Sequence, residues 1–174
     1  MKKMLALLTL SLFLAIPTMS QAEDIAAITC ADYAATENQN DKLTMIVWID
    51  GFLSAEADVT ITGAEWFGAL FGHMESYCAA NPSATLIAAA QETPEIEFEG
   101  EDMLLTPCAE IMADASNVDE VTALLMWSDG YLSSKSSNTV FDEAGLTALA
   151  QHIYPFCGGN PDKTLGDALA GQSK

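Results

Sequence analysis

Leu43-Thr44-Met45-Ile46-Val47-Trp48-Ile49-Asp50-Gly51-Phe52-Leu53-Ser54 is repeated in outline by Thr122-Ala123-Leu124-Leu125-Met126-Trp127-Ser128-Asp129-Gly130-Tyr131-Leu132-Ser133. Both stretches carry Trp, any residue, Asp, Gly, an aromatic, Leu and Ser in that order. From Trp48 onward the two halves align without a gap at an offset of 79: Leu70 with Leu149, His73 with His152, Cys78 with Cys157, Pro82 with Pro161. One cysteine precedes and one follows each copy, so the repeated unit is a domain. In the first copy Met45, Trp48, Ile49, Phe52 and Leu53 share one helical face and Ile46 and Val47 widen it, which marks a buried central helix. A glycine inside such a helix costs about 1 kcal/mol against alanine, so Gly51 and Gly130 imply that another helix passes close by. Asp50 and Asp129 stand without a second acid, nucleophile or ligand in the motif. The expectation is a structural bond to a neighbouring backbone group or tyrosine, and no catalytic residue is assigned.

The four cysteines give two bridges at most. Cys30 to Cys78 spans 48 positions and Cys108 to Cys157 spans 49, so one bridge within each repeat is the economical pairing. An even cysteine count without CysXXCys or zinc spacing points to an oxidising compartment. The amino terminus agrees. Lys2 and Lys3, the apolar run from Met4 to Ile16 and the Ser20-Gln21-Ala22 ending have the form of a cleaved export signal over residues 1–22, with no later stretch apolar enough for membrane insertion. Beyond residue 22 the chain holds four lysines and no arginine against 25 acids, a formal charge of −21. That sign excludes nucleic acid and anionic lipid as partners. It also reverses in strong acid, where carboxylates with reference pKa near 4 become neutral.

Local signals divide the rest into helices. Thr29 with Asp32 caps a short helix from Cys30, and Asn40 or Asp41 opens the motif helix. Thr62 with Glu65 has capping-box spacing for a third helix over 63–78, which makes a strand at 58–61 the weaker reading. Asn81-Pro82 is expected to start a fourth over 82–91. The second half repeats the plan, with starts at Pro107, Ser116 or Asn117, Asp142 and Asn160-Pro161. Between the halves, the Pro, Gly and acids of 93–103 indicate an exposed acidic linker, with Ile96 and Phe98 offering an extended edge as the alternative. The layout is therefore all-α: repeat 1 over 23–92, the linker over 93–103 and repeat 2 over 104–174. His73 and His152, one per repeat, are expected to be partly exposed helix residues whose protonation near pH 6 adds charge between the halves. No metal site and no cofactor are assigned.

These features together resemble the HdeA/HdeB family of periplasmic acid-stress chaperones. The resemblance rests on a cysteine near the domain start, TrpXAspGly[Phe/Tyr]Leu midway, and CysXXAsnPro, which reads Cys78-Ala79-Ala80-Asn81-Pro82 and Cys157-Gly158-Gly159-Asn160-Pro161. It covers about 29–91 and 106–170. It implies two tandem four-helix domains, each with one intradomain disulfide, and an ATP-independent holdase that exposes apolar surface in acid and keeps unfolded periplasmic client proteins from aggregating. Trp48, Asp50, Gly51, Phe52, Trp127, Asp129, Gly130 and Tyr131 then form the core motif and the candidate client surface. Family members pair as dimers at neutral pH, so the tandem is expected to be a monomeric pseudo-dimer or a homodimer. Two covalently joined domains cannot dissociate fully, so activation requires the halves to part about the linker or to loosen internally. The competing expectation is a cell-envelope binding or scaffold module that works at neutral pH, with divalent cations on its acids.

Overall fold

The computed structural model describes residues 22–172; the export-signal expectation falls almost entirely outside them. Each half contains four helices. The first has α1 (Cys30–Ala35), α2 (Gln39–Ala57), α3 (Ala64–Ala80) and α4 (Leu86–Gln91). The second has α5 (Cys108–Ala113), α6 (Val118–Ser136), α7 (Glu143–Gly159) and α8 (Leu165–Leu169). Thr29 closes a full capping box with Asp32 at the start of α1, while Asn38 and Asn117 cap the two motif helices. Both motif helices stop at a left-handed residue, Asp58 and Ser137. Disulfides Cys30–Cys78 and Cys108–Cys157 fasten the first helix of each half to the third.

The fourth helices begin later than Asn-Pro suggests. Asn81 and Asn160 instead end α3 and α7, with their side-chain amides donating to the carbonyls of Tyr77 and Phe156. A turn follows, and Thr85 and Thr164 supply the real caps. Thr164 forms a capping box with Asp167, a threonine-to-acid spacing of three that is visible in the sequence. The third helix of the first half likewise starts after Gly63 with no side-chain cap, so Thr62 and Glu65 do not form the expected box.

Thr62 is committed elsewhere. Ile61–Thr62 form strand β2, which pairs antiparallel with β3 (Glu101–Asp102), and β1 (Glu23–Asp24) pairs the same way with β4 (Val140–Phe141). Each ladder joins the leading segment of one half to the turn before the third helix of the other. The two ladders repeat the same exchange, related by the duplication. Within the 93–103 segment, Phe98 stacks on Trp66 with ring centroids 5.8 Å apart, and Glu101–Asp102 lie in the ladder. The core runs unbroken through both halves, with Trp48 and Trp127 at its middle.

Candidate functional site

The site is the seam where α2 crosses α6. A Cβ on Gly51 would overlap the Trp127 carbonyl, and one on Gly130 would overlap the Trp48 carbonyl. The glycines thus allow backbone to meet backbone, and the seam takes its hydrogen bonds from the neighbouring motif residues. Trp48 Nε1–H donates to Asp129 Oδ2 at 2.7 Å, and Trp127 Nε1–H donates to Asp50 Oδ2 at 2.9 Å. Each motif's tryptophan is therefore the partner of the other motif's aspartate, which corrects the expected bond to a backbone group or tyrosine. Both indoles are sealed from solvent, and Asp50 and Asp129 are buried with them. Phe52 stacks on Trp48 and Tyr131 on Trp127, one helical turn away in each case.

Asp50 differs from its counterpart because Trp66, on α3, donates a second indole bond to its Oδ1. Position 145, the equivalent of 66, is glycine. Burial pushes the Asp50 carboxyl up to about pKa 6, while the bonds from Trp66 and Trp127 and a contact from Thr62 pull it the other way. The folded protein therefore takes up a proton between pH 6 and about pH 4 that the unfolded chain does not. This group's contribution to stability is complete below pH 4 and is lost as pH rises through 6. Two units correspond to about 3 kcal/mol. Asp50→Asn removes the titration and keeps an acceptor oxygen for one of the two indoles, a loss that does not itself vary with pH. The stability of wild type relative to this variant, from urea midpoints, is expected to rise by about 3 kcal/mol from pH 7 to pH 4. A difference that stays flat with pH contradicts the assignment.

The seam is held at both ends by the exchanged segments. Thr139 Oγ1 donates to Asp24 Oδ1 at 2.7 Å, and Thr60 Oγ1 donates to Asp102 Oδ1 at 2.5 Å. The same two aspartates accept from the backbone N–H groups of Ala26 and Leu104, capping the 3-10 turns that follow. Sequence reasoning missed these residues and Trp66. A Glu-Asp pair stands at 23–24 and again at 101–102, and Thr60 recurs as Thr139, so the repeat itself carried the signal for the clasps. Trp66 has no such echo.

The histidines lie away from the seam. His73 Nε2–H donates to the Ala89 carbonyl at 3.0 Å, and His152 Nε2–H to that of Ala168 at 2.8 Å. Each ties the third helix of a half to its own fourth helix, which corrects their expected place between the halves. Among the described residues, no cluster of three or more His, Cys, Asp or Glu side chains is gathered for a metal, and no helix is long and apolar enough to cross a membrane.

The HdeA/HdeB family model matches the chain twice, over residues 3–88 and 87–167. Neither a curated protein nor a solved structure matches it. The two matches fall one on each half, on a helical fold with one disulfide in each. The chain belongs to the HdeA/HdeB family and carries its domain twice, in tandem.

Proposed function

We propose that the protein is a periplasmic acid-stress chaperone, an ATP-independent holdase that stores its client surface in the seam between its halves. One observation carries the reading: the apolar faces of α2 and α6, with Trp48, Phe52 and Trp127, are covered by each other. Parting them creates a broad apolar surface while each disulfide still joins the first and third helices of its half. The motif residues Trp48, Asp50, Gly51, Phe52, Trp127, Asp129, Gly130 and Tyr131 then change from packing to binding.

Asp24 and Asp102 are the acceptors that hold each exchanged segment to the opposite half. The acceptor that acid acts on is Asp32, at the start of α1. Bonds from the Thr29 hydroxyl and backbone N–H hold its carboxyl below the usual range. Its stabilising effect is present above the unfolded value and is lost as pH falls through the depressed one. Asp50 works in the opposite sense, so mild acid tightens the seam and only strong acid releases it. Net charge is not the trigger, because the protein carries far more charge at neutral pH than the few cations leave it at pH 2.

The test is light scattering from acid-denatured periplasmic clients at about pH 2 to 3, with the purified protein present and both disulfides intact. Suppression of scattering at near-stoichiometric protein is expected. A protein that stays soluble there and leaves aggregation unchanged overturns the reading.

A further inference from the structure

One surface feature breaks the twofold likeness of the halves. Beside the seam on the first half lies a groove of about 520 Å³, with Asp50 and Trp66 at its inner end. Val59, Ile61 and Ile96 line it and stay 52%, 43% and 38% exposed. At the equivalent positions the second half replaces Val59 by Asn138, Ala57 by Ser136 and Trp66 by Gly145. Glu56 on the rim is replaced by Lys135, so the charge reverses as well. Ile61 keeps an apolar, exposed counterpart in Val140, so this face differs between the copies at Val59, at Trp66 and in the charge of its rim.

The groove shows what fits it. Phe98 of the interdomain segment lies stacked on Trp66, and Ile96, two residues before it, lines the same cavity. An extended apolar-x-apolar segment is therefore already seated along one wall, and the remaining volume is open beside it. Glu56 and Glu95 stand at the rim.

We propose that this groove binds an extended peptide segment of a partner protein, with apolar side chains in the groove and lysine or arginine flanks on Glu56 and Glu95. The apolar walls supply the affinity, the acidic rim selects the charge of the flanks, and the Trp66 ring receives an aromatic side chain as it receives Phe98. The site is open in the folded protein at neutral pH. It does not depend on parting of the seam, so it stands or falls apart from the acid-activated reading.

Fluorescence anisotropy of a dye-labelled Lys-Phe-Lys-Ile-Lys peptide titrated with the full disulfide-bonded protein at pH 7 tests it. Saturable binding is expected. Val59→Asn and Glu56→Lys each place the second half's residue on an exposed position, and each is expected to weaken binding about tenfold with an unchanged circular dichroism spectrum. A Glu-Phe-Glu-Ile-Glu peptide is expected not to bind. No saturable binding, equal binding of both peptides, or binding that the two variants leave untouched overturns the proposal. So does self-association of the protein that the same variants abolish, which would give the groove to a second copy of the chain.

Discussion

Gly51→Ala and Gly130→Ala are each expected to destabilise the protein at pH 7 by about 3 kcal/mol, read as a fall in the urea midpoint. A methyl at either position collides with the carbonyl of a tryptophan on the facing helix, and backbone cannot swing aside as a side chain does. Relief requires α2 and α6 to move apart, which stretches both indole–carboxylate bonds and opens the tightest part of the core. Gly68→Ala and Gly72→Ala are the controls. Both glycines lie in α3 with nothing within 4 Å of an added Cβ, so alanine there is expected to be neutral or to stabilise by up to about 1 kcal/mol. If Gly51→Ala is as harmless as Gly72→Ala, the close crossing does not exist.

Cys108→Ala with Cys157→Ala is expected to cost about 4 kcal/mol, as is the corresponding pair of changes at Cys30 and Cys78. Each bridge closes a loop of 48 or 49 residues, which restricts the unfolded chain by that amount in the chain-entropy model. A half of this size buries too little surface to absorb the loss alone. The seam spreads the damage, because α2 and α6 form one core and neither half has a finished surface of its own. Urea unfolding followed by both tryptophan fluorescence and circular dichroism is expected to remain a single transition at a lower midpoint. Two separated transitions, one of them at the wild-type midpoint, would show that the halves fold independently.

The duplicated motif made the central helices legible, because their meaning lies in a pattern that occurs twice. Tryptophan, aspartate and glycine recur at 79-residue spacing, and a glycine on an apolar helix face has one common cause, a close neighbour. That the neighbour is the other copy of the same motif is a tertiary fact, and no local spacing states it. The ladders were hidden for a different reason: two-residue strands carry no alternation to read, and beside β2 and β3 Gly63 lies against the backbone of Glu99 and Gly100, and Gly100 against that of Thr62. Asn81 and Asn160 were misleading because asparagine serves a helix end as well as a helix start. Their side chains reach back to the carbonyls of the helix they finish. The Trp66–Asp50 bond and the groove beside it arise where the two copies differ, so a reading built on their likeness passes over them.

On the proposed function the client-binding surface is the seam itself, released in strong acid. Solvent exchange of the Trp48 and Trp127 Nε1–H protons, followed by nitrogen-15 NMR as pH is lowered and compared with client light scattering on the same samples, tests this most directly. Both indoles are predicted to stay protected from pH 7 down to about pH 4, where Asp50 is protonated, and to lose protection together at the pH where aggregation is suppressed. Client capture while both indoles remain protected would contradict it.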